Sequence, residues 1–198
     1  MRFGMRSGFI AASALALVCS GSARATDVQM PGVITIIKDT KLFKVVAKPT
    51  SGTFAIPAIG GGGDPLLNDG SVSVFDTTGT GILSDPLSGG AWQGLGNPPG
   101  ISGYKYKNTL APAGGPVKII ILKGAVVKII AKDDGTLNGP VSGNVGIVLS
   151  TGTSPDRYCA EFGGSTVKNE TGLVKRKAAP TRWRWSCAAS PRASIPRR

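Results

Sequence analysis

From Thr26 onward no stretch of the chain keeps an apolar period near 3.6 over three helical turns, which removes helical bundles and α/β folds from consideration. The chain carries short runs of four to eight residues rich in Val, Ile, Phe or Tyr: Val33–Ile37, Lys41–Lys48, Ser71–Asp76, Tyr104–Lys107, Val117–Leu122, Ala125–Lys132, Asn144–Ser150 and Arg157–Phe162. Between them stand turn signals such as Asn68-Asp69-Gly70, Thr78-Gly79-Thr80-Gly81, Asp133-Asp134-Gly135 and Thr151-Gly152-Thr153. Short strands at this spacing predict an all-β protein, an antiparallel β-sandwich of jelly-roll-like kind. The 29 Gly and 14 Pro are many, yet hydrophobic residues at 41% supply enough apolar side chain for a core. The expected core comprises Ile36, Phe43, Val45, Val74, Ile119, Ile121, Val127, Ile129, Ile147 and Phe162.

Val33 to Lys48 can be laid on Val117 to Lys132 without a gap, matching Ile36 with Ile120, Ile37 with Ile121, Lys44 with Lys128 and Ala47 with Ala131. Two origins fit: hairpins converging on one alternation, or two related halves. The second predicts that each half gives one inner hairpin to each sheet. Gly60-Gly61-Gly62-Gly63-Asp64-Pro65 reads as a flexible insertion in the first half. Ser88 through Gly100 reads as a long Gly/Pro loop with Trp92 at its middle.

The first 25 residues have the form of a secretory signal peptide, with Arg2 and Arg6 before an apolar stretch from Phe9 to Val18 and the small-x-small site Ala23-Arg24-Ala25. The apolar stretch is about half of the ~20 residues a spanning helix needs. The mature protein is therefore expected to be secreted, periplasmic or extracellular, with residues 26–174 as the sandwich domain and 175–198 as a basic, disordered tail. The formal net charge of +12 invites a nucleic-acid reading. Subdivision removes it, because leader and tail hold 11 of the 23 basic residues and leave 12 against 11 acids between them. Neither nucleic acid nor an anionic membrane is expected as a partner.

The chain has no histidine, which removes the commonest metal ligand and the base of Ser-His-Asp and Cys-His catalysis. No metal and no cofactor is expected. Carboxylates are the remaining acid/base groups; Glu161 and Glu170 are the only glutamates, and a hydrolase acting on an extracellular polymer would need two carboxyls facing across a cleft. Asp64, Asp69, Asp133 and Asp134 sit in turn contexts and miss the spacing of a calcium loop. Gly60 to Gly63 lacks the following helix and Gly-Lys-Ser/Thr of a phosphate loop. After signal cleavage two cysteines remain, Cys159 and Cys187. They either bridge in an oxidising compartment or stand as a buried strand cysteine and a separate tail thiol. Tyr104 and Tyr106 point to one face of a strand, so with Trp92 they form either a ligand-stacking platform, for carbohydrate, or a plug in the core.

The loop Trp92-Gln93-Gly94-Leu95-Gly96-Asn97-Pro98-Pro99-Gly100, the stretch Gly103-Tyr104-Lys105-Tyr106-Lys107, and Arg157-Tyr158-Cys159-Ala160-Glu161-Phe162-Gly163-Gly164 resemble a family of uncharacterised secreted bacterial proteins over roughly residues 28 to 180. The resemblance implies export and a β-rich fold and adds no activity. It also implies cysteines where this chain has Val117 and Ala131, a bridge lost here as a pair. Lys175-Arg176-Lys177-Ala178-Ala179-Pro180 matches the end of that pattern. The Arg/Trp-rich remainder departs from it, as a read-through or shifted-frame end would. The residues together lead to the expectation of a non-catalytic binding or structural module whose partner is a carbohydrate or a surface protein.

Overall fold

The computed structural model describes residues 27–38, 41–78, 81–132, 139–153 and 157–178. The eight sequence runs are strands: β2 (Gly32–Lys38), β3 (Leu42–Ala47), β4 (Gly70–Asp76), β7 (Gly103–Lys107), β8 (Val117–Lys123), β9 (Val126–Ala131), β10 (Val145–Thr151) and β11 (Arg157–Phe162). Five more join them: β1 (Asp27–Gln29), β5 (Gly81–Leu87), β6 (Trp92–Leu95), β12 (Ser165–Glu170) and β13 (Leu173–Lys177). They make two sheets, one of order β1-β11-β10-β4-β5 and one of order β12-β13-β2-β3-β9-β8-β7-β6. Every neighbour pair is antiparallel except β1 with β11. The sheets bury one common core, to which the larger gives Ile37, Phe43, Val45, Leu122 and Ile129 and the smaller gives Val72, Val74, Ile147, Leu149 and Phe162. Full burial of each such side chain contributes about 1.5–3 kcal/mol. The fold is thus an all-β sandwich.

Seven of the ten expected core residues lie in that interior, and Ile36, Ile119 and Ile121 do not. Each of these three is only half-buried, while Ile37, Ile120 and Leu122 take the inner places. The cause is a bulge in each strand, between Gly32 and Ile34 in β2 and between Val117 and Ile119 in β8. An extra residue on one strand shifts the phase of alternation, so every later side chain changes face.

Both hairpins, β2–β3 and β8–β9, lie side by side in the eight-stranded sheet, which corrects the expectation of one per sheet. Their burial patterns are the same strand for strand. The gapless alignment is one residue out across the first strand, because three residues (39 to 41) join β2 to β3 and two (Gly124, Ala125) join β8 to β9. Ile37 therefore corresponds to Leu122 and Gly32 to Val117. Where the hairpins meet, Phe43 faces Ala131, Val45 faces Ile129 and Ala47 faces Val127. Exchanging the hairpins reproduces this register, so a local two-fold passes through Val45 and Ile129.

The sandwich does not stop at residue 174. Lys175, Arg176 and Lys177 belong to β13, which lies between β12 and β2. Arg176 follows Val174 on the inward side, and its Nη1 donates to Thr166 Oγ1 at 3.1 Å. A basic run is compatible with a strand when alternation sends one cation to buried acceptors and its neighbours to water. The sheet edges carry their own protection: β12 is exposed throughout and holds the Lys168–Glu170 ion pair, and β5 contains Pro86.

The segment from Phe54 through the glycine-rich insertion is held by hydrogen bonds to both sheets and their loops, so the insertion is not a free loop. Phe54 N donates to Gly124 O, Tyr158 Oη to Ala55 O, Tyr104 Oη to Pro57 O, and Thr153 N to Gly62 O. Asp64, buried, accepts from Gly60 N at 2.8 Å and Leu66 N at 2.9 Å, which folds the four glycines into a turn. Gly60 itself has φ +74°, the left-handed region that favours glycine.

Candidate binding surfaces

The three aromatic residues meet, but inside. Tyr104 and Tyr106 point from β7 into the core at 0% and 3% exposure, and Trp92, first residue of β6 and opposite Tyr106 in register, is 5% exposed. Trp92 and Tyr106 pack edge to face with centroids 5.3 Å apart. A stacking platform needs ring faces open to its ligand, so Trp92, Tyr104 and Tyr106 are the core plug and not a binding strip. Trp92 Nε1 has no hydrogen-bond partner there. Burial, then the neighbouring Asp64 carboxylate, holds the Tyr104 phenol above its ordinary pKa; burial and Asp85 do the same to Tyr106.

The carboxylates of the described residues hold structure together. Asp76 Oδ1 accepts from Thr78 N and Oγ1, and Oδ2 from Ser142 N at 2.6 Å and Gly143 N at 2.9 Å. Burial pushes its pKa up, but these four donors outweigh it and leave the group below its usual value. Asp85 Oδ2 accepts from Val117 N at 2.8 Å and ties β5 of one sheet to β8 of the other. Asp69 accepts from Gly89 N, and Arg157 pairs with Asp27 at 2.9 Å. Glu161, in β11, accepts from Asn144 Nδ2 at 2.7 Å, while Glu170 lies exposed on the edge of the opposite sheet beside Lys168. The two glutamates stand on different sheets, Glu161 buried and Glu170 exposed. Asp133 and Asp134 lie outside the described residues. Among the described residues no three His, Cys, Asp or Glu side chains gather to hold a metal ion, and no helix is long and apolar enough to cross a membrane.

An open depression of about 630 Å³ lies beside the insertion, lined by Leu66, Leu67, Asn68, Asp69, Gly89, Gly90, Gly152 and Thr153. Its walls are mostly backbone and short polar side chains, and Leu67 stands on it 64% exposed. Gly152 must be glycine here, since φ is +63° and the Gly62 carbonyl occupies the place of a Cβ.

A second surface went unseen in the sequence. On the outward face of the five-stranded sheet, Phe75 (β4), Val148 (β10) and Cys159 (β11) form a separate apolar cluster, 2%, 7% and 0% exposed. Val148 and Cys159 are cross-strand partners, and the Phe75 ring leans over Gly146 into the space a Cβ would fill. Cys159 is disulfide-bonded. Cys187, its expected partner, lies outside the described residues, as do the leader and the chain beyond Ala178. The available signal was the unbroken apolar run Ile147-Val148-Leu149, which a strand carries when both its faces are covered.

The molecule defined by this architecture is an all-β sandwich with a loop-lined depression and a disulfide-bearing outer face. Comparison with protein families, curated proteins and solved structures found no match.

Proposed function

We propose that this chain is an exported β-sandwich module that binds a polyhydroxylated surface polymer without catalysing a reaction. The observation that carries the reading is the fate of the carboxylates: Asp64, Asp69, Asp76, Asp85 and Glu161 each accept hydrogen bonds that position a loop or join strands. The leader at residues 1–25 supports delivery across a membrane. The depression supports the ligand class, since Asn68, Asp69, Thr153 and three glycine backbones present polar groups to hydroxyls beside an apolar seat at Leu66 and Leu67.

The test is retention of the mature chain on immobilised cell-wall and capsular polysaccharides, with Leu67→Ser and Asp69→Ala compared. Retention that falls at least tenfold in both variants, with melting temperature preserved in Leu67→Ser, supports the reading. Release of shortened polymer, or retention unchanged in both, overturns it.

A further inference from the structure

The charges of the described residues are sorted by sheet. Asp27, Asp76, Asp85 and Glu161 belong to the five-stranded sheet and Asp64 and Asp69 to the insertion, which leaves Glu170 as the one described acid of the eight-stranded sheet. Every described lysine, by contrast, lies in a strand of the eight-stranded sheet or directly beside one. A sum near zero thus conceals a cationic face.

Burial and register set out that face. Phe43, Val45, Val127, Ile129, Tyr104 and Tyr106 point into the core, so Lys44, Lys128, Lys105 and Lys107, which alternate with them, point away from it. Lys175 does the same beside buried Val174. Ile36 stands between Lys175 and Lys44, Lys44 and Lys128 are diagonal neighbours on paired strands, and Ile121 stands between Lys128 and Lys105. With strands ~4.8 Å apart and same-face neighbours ~6.7 Å apart, Lys175, Lys44, Lys128 and Lys105 make a file at right angles to the strands, in steps of about 8–10 Å over about 24 Å. Half-buried aliphatic side chains, Ile36, Ile121 and Ile130 among them, fill the gaps. Among the described residues the one ion pair of this sheet, Lys168 with Glu170, lies at its β12 edge, one strand outside the file.

We propose that this file is a docking track for an acidic polysaccharide with a carboxylate on every second sugar, laid across the strands. The track shares no residue with the depression and does not depend on it. Charge complementarity calls for a polyanion, and the make-up of the face selects which one. Bidentate phosphate recognition favours arginine, whereas this face offers only the flexible point charge of lysine; Arg176 points inward. Every described aromatic is buried, so unstacked bases have no platform. Duplex DNA carries a charge every ~1.7 Å of its axis, several times denser than the file. A bilayer is flat, while strands rotated by about 20–25° from one to the next turn a face six strands wide by about 100°. A single sugar chain follows that twist, with two linked rings to each lysine step, carboxylates beside the ammonium groups and C–H faces on the aliphatic gaps.

The probe is hyaluronan, which has one carboxylate per two sugars, titrated calorimetrically into the full chain at low salt. Lys44→Gln with Lys128→Gln should weaken binding by roughly tenfold or more, and Lys44→Arg with Lys128→Arg should stay within about threefold of the parent. The basic residues beyond 178 are the same in every variant, so the difference reads the face. A parent that does not bind hyaluronan overturns the proposal, as does unchanged affinity in the glutamine pair. Equal losses in the glutamine and arginine pairs also overturn it, because charge is then not what the polymer reads. Dextran has the hydroxyls without the charge: parent binding as tight there as on hyaluronan overturns the track and leaves the reading of the depression standing. Tighter capture by duplex DNA or by phosphatidylglycerol vesicles, lost in the same glutamine pair, overturns the polysaccharide as occupant.

Discussion

Replacing Trp92 with alanine should remove about 3–5 kcal/mol of folding stability. The indole is 5% exposed, so nearly its whole surface is withdrawn from water on folding. An aromatic of this size buries ~150–250 Å², worth about 4–6 kcal/mol at ~25 cal/mol per Å², an upper figure because the unfolded chain already hides part of it. The edge-to-face contact with Tyr106 at 5.3 Å adds ~0.5–1.5 kcal/mol. Against this stands the indole N–H, buried without an acceptor, which costs about 1–3 kcal/mol. The opposing term makes Trp92→Phe informative: phenylalanine keeps most of the area and discards the orphan donor, so its loss should stay under ~2 kcal/mol. Guanidinium unfolding of the mature chain, followed by circular dichroism, measures both. Unchanged stability in Trp92→Ala would refute the plug. A Trp92→Phe loss as large as that of Trp92→Ala would show that the N–H is bonded after all.

Asp76→Asn should cost about 1–3 kcal/mol near neutrality, because an amide N–H₂ would face backbone donors. Since the folded pKa of Asp76 lies below 3.8, its contribution is present above the unfolded value and is lost as pH falls through the folded one; the variant should therefore lose less stability between pH 5 and 2 than the parent, and parallel acid limbs would contradict this. Val117→Cys with Ala131→Cys should close a bridge spontaneously, since the two are buried register partners, and a loop of that length adds about 3 kcal/mol; thiols that stay titratable in air would show that the geometry is wrong. The N-terminal residue of the exported protein should be Thr26, so a located protein that still begins at Met1 would dispose of the leader.

The strands readable in the sequence were those that alternate and carry β-branched residues. β5 hides behind Pro86 and Asp85, tolerable only because it is an edge. β12, Ser-Thr-Val-Lys-Asn-Glu, buries nothing and so has no apolar period to find. Arg176 shows a different difficulty: three consecutive basic residues look like solvent-exposed tail until Thr166 Oγ1 and Val141 O supply acceptors from distant segments. Ile36, Ile119 and Ile121 were misplaced by one residue of bulge, a backbone event that side-chain hydrophobicity does not encode. The candidate site divides likewise. Tyr104 and Tyr106 share a face, as period two requires, but whether that face meets ligand or core is decided by the opposing sheet. Phe75 and Cys159 come together only through the register of β10 with two neighbours.

The matched register of the two central hairpins has a consequence for how the chain finds its fold. Each hairpin closes locally, within microseconds, whereas the junction at Val45 and Ile129 must wait for residues far apart in sequence. Until then the free edge of β3 is shaped for β9, and the likeness of the hairpins shapes it equally for β3 of another molecule. Such an edge pairs with whichever copy arrives first. Refolding should therefore partition between monomer and exchanged dimer according to protein concentration, and light scattering across a dilution series would read that partition; a dimer fraction independent of concentration would exclude the competition.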